Sequence, residues 1–230
     1  MTYKVVADTE AFILVDKQAG VSVHKDEQLG QPGLFNQLKQ DFAQPLYPAH
    51  RLDVMTSGLL LLAKTSEVAA ELGRLFEARA VEKYYLAIAS GKPRKKQGLI
   101  VGDMTKSRGG SYKLLRSTNN PAKTRFVSQQ HALGLRAYLL KPYSGKTHQL
   151  RVMMKSIGVA ILGDERYGGA IGGDQAADRG YLHAYALRFT LNGVEYRYRC
   201  PPSSGQWFEP PYTDSLIEHW QEPWALPWGK

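Results

Sequence analysis

Asp53 is the side chain with the strongest claim to chemistry. It stands in the run AHRLDVMTSGLLLLAKT, Ala49 to Thr65, just after Arg51 and just before an apolar stretch, Leu59 to Ala63. An Arg-x-Asp pair at a strand mouth is, taken singly, usually a structural ion pair. It can also be a carboxylate held where a strand opens on a cleft, ready to act as nucleophile or base. Three other features favour the second use. Arg151 lies on a predicted helix with His148 and Lys155 on the same polar stripe, and it can hold an ionised carboxylate in a partly dry site. Tyr85 follows a predicted helix and offers an aromatic face or a phenol. A strongly basic stretch comes next. No other carboxylate has an equal claim. Glycoside hydrolysis, which normally uses two, would need Asp164 or Glu165 as the second.

Several classes are excluded. The chain has no phosphate-cradling glycine loop ending in Lys-Ser/Thr and no dinucleotide fingerprint. Cys200 is the only cysteine, so an internal disulfide, a multi-cysteine zinc or iron–sulfur site and a zinc deaminase centre are out of reach. The 6 histidines show no ligand spacing. The reaction is therefore expected to use side chains alone, without metal or cofactor.

The net charge of +9 is concentrated. Lys92, Arg94, Lys95, Lys96, Lys106, Arg108, Lys113 and Arg116 lie within one stretch whose only acid is Asp103. Such a field suits a polyanion, of which nucleic acid is the commonest. The N-terminus has no apolar signal core, and the densest apolar run is far shorter than the ~20 residues of a membrane helix. A cytoplasmic protein away from membranes is expected.

The elements that must position these residues follow from period and punctuation. Lys4 to Lys25 reads as strand, turn, strand, turn, short strand, and a linker follows to His50. Gly58 to Thr65 is a strand buried on both faces. Ser66 to Arg79 is a helix, with Ser66 as cap, Glu67 at the positive end of the dipole, and Val68, Leu72, Leu75 and Phe76 inward. The basic stretch, broken by glycines, predicts a loop or weak hairpin. Two paired strands come next, Ala122 to Gln130 and Leu135 to Gly145. A second helix with an apolar stripe of Leu150, Met153, Met154 and Ile157 stops at Gly158. A final hairpin turns at Asn192-Gly193. Residues 201–230 hold all 4 tryptophans and half of the 12 prolines. They are read as a segment packed on the domain formed by residues 1–200, with a short helix near Ser215 to Trp220. The whole predicts an α+β fold, a mixed, mainly antiparallel sheet with flanking helices and two lobes around a central cleft.

In order along the chain, these blocks resemble the RluA-type pseudouridine synthases. AHRLDVMTSG is similar to the family's His-Arg-Leu-Asp-x-x-Thr-Ser-Gly. Lys83, Tyr85 and Ala87 fall on its Lys-x-Tyr-x-Ala segment. AKTRFV, SGKTHQLRV, GDERYGG and YLHA fall on its later motifs. The resemblance implies isomerisation of uridine to pseudouridine in structured RNA, with Asp53 as the catalytic aspartate, Tyr85 as the active-site tyrosine and Arg151 as the aspartate's basic partner. The partner it implies is an rRNA or tRNA stem-loop, and no obligate protein partner is evident. RNA contacts are expected from Arg51, Lys92, Arg94, Lys95, Lys96, Lys106, Arg108, Lys113, Lys146 and His148. Three positions depart from the pattern: Gln18 where proline is usual, Lys146 where arginine is commoner, and Met153 in place of a histidine. With Tyr3 and Lys4 already in the first strand, no S4-type RNA-binding module is expected ahead of the domain. Specificity is then expected from the basic stretch. A non-catalytic RNA-binding or RNA-folding protein on the same fold is the alternative. Beside these roles, Thr56 and Ser57 read as turn residues, His50 as bonding backbone, His148 as bracing the helix start, and His183 as a core histidine. Asp164, Tyr167 and Gly168 to Gly169 read as shaping a turn behind the site.

Overall fold

A computed structural model describes residues 1–24, 30, 32–91, 93–132, 134–168 and 177–229. Lys92, one of the expected RNA contacts, and Gly169 of the expected turn lie outside the described residues. Among the described residues the chain forms twelve strands and four α-helices. Strands β1 (Tyr3–Asp8), β2 (Phe12–Lys17), β4 (Ser57–Ala63), β5 (Glu82–Ser90), β6 (Gln97–Gly102), β9 (Ala122–Ala132), β10 (Leu135–Pro142) and β11 (Leu182–Leu191) form one sheet in the order β1-β2-β4-β11-β5-β10-β9-β6. Short β3 (Tyr47–Pro48) adds to β4, and β12 (Val194–Arg199) adds to β11. All pairs are antiparallel except β4 with β11. β7 (Met104–Lys106) and β8 (Tyr112–Leu114) make a separate two-stranded ribbon.

Every residue of β4 is buried, as its unbroken apolar run predicts. Gly58 explains how β4 and β11 approach so closely. Its φ is +104°, and a Cβ there would sit 2.3 Å from the Ala184 carbonyl oxygen. Only glycine meets both conditions. The β11–β12 hairpin turns through Asn192 and Gly193, both at positive φ (51° and 78°), the type I′ geometry that matches strand twist.

Helix α2 (Ser66–Glu77) begins one residue earlier in its capping than its sequence suggests. The Thr65 hydroxyl, not that of Ser66, accepts from the Val68 N–H at 3.3 Å. Two expectations fail between Val21 and His50. Val21 to His24 forms no strand. The expected linker instead contains α1 (Leu34–Asp41), which buries Leu34 and Leu38. Its apolar stripe is only a turn and a half long, too short to stand out among prolines and glutamines.

Two apolar cores flank the sheet's centre. One gathers β2, β4, α1, α2 and the outer half of β11. The other gathers β5, β10, helix α3 (Gln149–Ser156) and the C-terminal segment. Tyr85 packs against both. In the C-terminal segment, α4 (Tyr212–His219) contributes Leu216, while Phe208, Trp220 and Trp228 are buried in the second core. Trp207 and Trp224 are only partly covered. No helix among the described residues is long and apolar enough to cross a membrane.

Candidate active site

The loop between β3 and β4 carries Asp53 into a cleft of about 1100 Å³ lined by residues from both cores. The loop is held by its backbone. Thr56 N–H donates to the Asp53 carbonyl at 3.0 Å, and Gly20 N–H donates to the Val54 carbonyl at 2.8 Å. Beneath it lies Lys17, fully buried, whose ammonium donates to the carbonyls of Val21 (2.7 Å), Gln18 (2.9 Å) and Val54 (3.3 Å). Burial pulls that ammonium down to about 7, Arg179 adds to the effect, and Asp53 opposes it. His50 braces the same loop. Its Nε2 accepts from Leu61 N–H at 3.1 Å, and burial, followed by Lys83, lowers the imidazole to about 4. A neutral ring is what an acceptor nitrogen requires.

Arg151 comes from the opposite side, on α3. The helix starts at His148, which takes up a left-handed conformation (φ 56°). Gln149 fixes its first turn: its carbonyl oxygen accepts from Ser144 Oγ (2.8 Å) and Lys146 N–H (3.1 Å), and its amide donates to Thr124 Oγ1 (3.0 Å). The polar stripe predicted for this helix is not a solvated face. Arg151 is 8% exposed because α3 is packed on both sides and its polar side forms the cleft wall. Only Lys155 of the stripe is open to solvent, and His148 is half-buried.

The Arg151 guanidinium is shared by two carboxylates. Nε and Nη2 donate to Asp164 at 2.7 and 2.8 Å, and Nη1 donates to Asp53 at 3.3 Å. Burial works against the arginine's charge, but the bonds to Asp164 and the charges of Asp164 and Asp53 outweigh it and hold the group above its ordinary range. The Tyr167 ring lies 5.1 Å beneath the guanidinium. Tyr85 lines the cleft beside them, and burial, reinforced by Asp53, holds its phenol well above the usual range, so it keeps its proton. Burial lowers His148, with Asp53 opposing and Arg151 adding.

Asp53, Tyr85 and Arg151 thus meet in one cleft, with exposed Arg51 and half-buried Lys146 and His148 on its rim. The basic stretch does not form the single patch its sequence suggests. Strand β6 runs through it and divides it. At one end Gly102 pairs with Ala122, next to Lys123, whose carbonyl accepts from Gln149 of α3. The ribbon cations Lys106, Arg108 and Lys113 follow that end. Arg94, Lys95 and Lys96 precede the other end, about 20 Å away at ~3.3 Å per residue. Sequence reasoning also placed Asp164 and Tyr167 behind the site as turn formers. Asp164 is the buried partner of Arg151, and Tyr167 supports the guanidinium. The available signal was an acid separated only by Gly163 from an apolar Ile161-Leu162 pair, a position that normally excludes an unpaired charge.

Residues 11–156 match the family model of RNA pseudouridylate synthases. The chain belongs to that family: it is an RNA pseudouridine synthase of the RluA type, an isomerase. It is 44% identical over 225 residues to an uncharacterized RNA pseudouridine synthase of Haemophilus influenzae, covering 97% of this chain and 98% of that one. It is 26% identical to the ribosomal large subunit pseudouridine synthase C of Vibrio parahaemolyticus, over 91% of this chain and 65% of the relative. Among solved structures, human RNA pseudouridylate synthase domain containing 1 superposes with a TM-score of 0.75 at 26% identity, covering 96% of this chain and 95% of that one.

Proposed function

We propose that this enzyme isomerises uridine in an rRNA or tRNA stem-loop and that Asp53 is its catalytic carboxylate. The observation that supports this most is the shared guanidinium: Arg151 is anchored by Asp164 and reaches Asp53 across the cleft at 3.3 Å. The reaction breaks the bond from ribose C1′ to uracil N1, turns the base, and joins C1′ to C5. C5 loses a proton and N1 gains one, so atoms balance without water or oxidant. A single carboxylate beside the sugar serves this chemistry, either as nucleophile at C1′ or as base at C2′. The target base must leave its stack to reach the cleft floor. Tyr85, a protonated phenol on the wall, stacks on it. Arg51, Lys146 and His148 hold the adjoining backbone at the rim. Lys106, Arg108 and Lys113 take phosphates beyond it, and Arg94, Lys95 and Lys96 meet a more distant part of the RNA.

The test is site-resolved pseudouridine mapping of total RNA from cells lacking the protein, complemented with wild type or Asp53→Asn. A uridine isomerised only with the wild-type copy identifies the substrate and assigns the aspartate. Modification that persists with Asp53→Asn removes the assignment. No changed site in rRNA or tRNA removes the substrate class.

A further inference from the structure

The ribbon β7–β8 stands apart from the main sheet, and its ladder joins only its own two strands. It carries Lys106, Arg108 and Lys113, all exposed. Among the described residues none of the three has a salt-bridge partner. Two hydrogen bonds lead from it towards the site. The Tyr112 N–H donates to the Tyr167 hydroxyl at 2.9 Å, and Arg166 donates to the Gly109 carbonyl. The Tyr112 ring also meets His148 edge-on at 5.7 Å.

Tyr167 is where these connections converge. It is 3% exposed, in a single 3-10 turn, and its backbone N–H donates to the carbonyl of Asp164. The hydroxyl that accepts from Tyr112 also bonds His148 Nδ1 at 2.9 Å, at the residue that starts α3. Its ring face supports Arg151. One side chain therefore touches the ribbon, the start of the catalytic helix and the guanidinium. The Arg151–Asp53 bond is the longest of the three that the guanidinium makes, 3.3 Å against 2.7 and 2.8 Å. Bonds of this kind are often long in a free enzyme and close when substrate is bound.

We propose that Tyr167 is a positioning residue that couples the ribbon to the catalytic pair, so that RNA phosphates held on Lys106, Arg108 and Lys113 draw Arg151 onto Asp53. This rests on the function proposed above. The ribbon is then a sensor of bound RNA as well as a source of affinity. The hydroxyl matters separately from the ring: the ring supports the arginine, while the hydroxyl transmits the ribbon's position.

Four forms of the full chain test this: wild type, Tyr167→Phe, the ribbon variant with Lys106, Arg108 and Lys113 all changed to Ala, and the combination. The probe is rRNA and tRNA from cells lacking the protein, and the readouts are RNA affinity and single-turnover rate at saturating RNA. Tyr167→Phe is expected to bind RNA like wild type but react about tenfold more slowly, since small misplacements of reacting groups are costly. The ribbon variant is expected to lower the saturated rate in the wild-type background and not in the Tyr167→Phe background, while weakening affinity equally in both. Equal proportional rate losses in the two backgrounds, or a wild-type rate for Tyr167→Phe, overturn the coupling. Amide exchange of residues 104–114 without RNA gives an independent reading. Faster exchange in Tyr167→Phe supports the coupling, and unchanged exchange refutes it. If wild type forms no pseudouridine in this RNA, the proposed function fails, and the exchange measurement still decides whether Tyr167 holds the ribbon.

Discussion

Asp53 and Asp164 bind the same guanidinium from two very different regions. Asp164 belongs to the tight turn after α3, its side chain has no exposed surface, and it takes two bonds from Arg151. Asp53 belongs to the loop before β4, is 28% exposed, and takes one longer bond. The buried carboxylate meets the geometric demand that makes a desolvated ion pair tolerable, bidentate with both oxygens engaged. The more exposed one takes a single bond from the arginine and faces the cleft. One acid anchors the arginine so that the other can be aimed by it. Exposure and denticity, more than proximity to a cation, separate the anchor from the group proposed to react.

That division can be broken from either side. Asp53→Asn is expected to lower turnover by about 10³-fold or more while leaving the melting temperature close to wild type, because a single long bond to a partly exposed carboxylate contributes little to folding. Single-turnover assays with calorimetry on one preparation check both halves. A large fall in stability would mean that Asp53 is an anchor too. Asp164→Asn is expected to do the reverse first. It strips a buried guanidinium of its charged partner and costs about 3–5 kcal/mol in denaturant titrations, with turnover falling as a consequence. An Asp164→Asn protein as stable as wild type would show that Asp53 alone can satisfy Arg151.

The supports of the two regions differ as well. The Asp164 turn is held through a side-chain ion pair, and the Asp53 loop through carbonyls collected by Lys17. Lys17→Met keeps the stem's apolar volume and leaves the carbonyls of Gln18, Val21 and Val54 without their shared donor. It is expected to cost about 1–3 kcal/mol and to loosen the loop without touching the arginine pair. Exchange at Gly20, whose N–H bonds the Val54 carbonyl, should speed up while exchange at Tyr167 does not. Equal acceleration at both would mean that the two regions are not separately supported.

The parts of this site that were legible in sequence are local. Asp53 stands beside a strand whose burial is written in consecutive leucines, and Arg151 and Tyr85 each sit inside a run with its own period. Asp164 and Tyr167 were not legible as functional because their meaning lies in partners distant along the chain, Arg151 and Tyr112. Nothing in GDERY distinguishes a turn former from a buried counter-ion except the apolar residues before it. The division of the basic stretch was hidden for a related reason. Charge is counted along the chain, whereas strand β6 carries it from the cleft end of the sheet to the other. The α+β architecture was legible because β4, α2 and the β11–β12 turn each declare themselves through patterning or turn chemistry, while α1 buries too little to do so.

Acid should expose a further, smaller contrast between the two regions. In the Asp53 loop His50 is held neutral, lowered to about 4 from an ordinary 6.5, chiefly by burial. Between those values the unfolded chain takes up a proton that the folded chain refuses, so stability falls as pH drops below 6.5. At pH 5 the group alone accounts for about 1–2 kcal/mol of that loss. His183 adds to the same slope, since burial lowers it to about 3 while it bonds Ser57 and the Cys200 carbonyl. The comparison must therefore be made between proteins. His50→Gln removes one titrating group and keeps an acceptor for Leu61 N–H, so its deficit against wild type at pH 7.5 should narrow at pH 5 in denaturant titrations. A deficit that is constant across this range would mean that the acid sensitivity lies elsewhere and that the Asp53 loop is not the first region to yield.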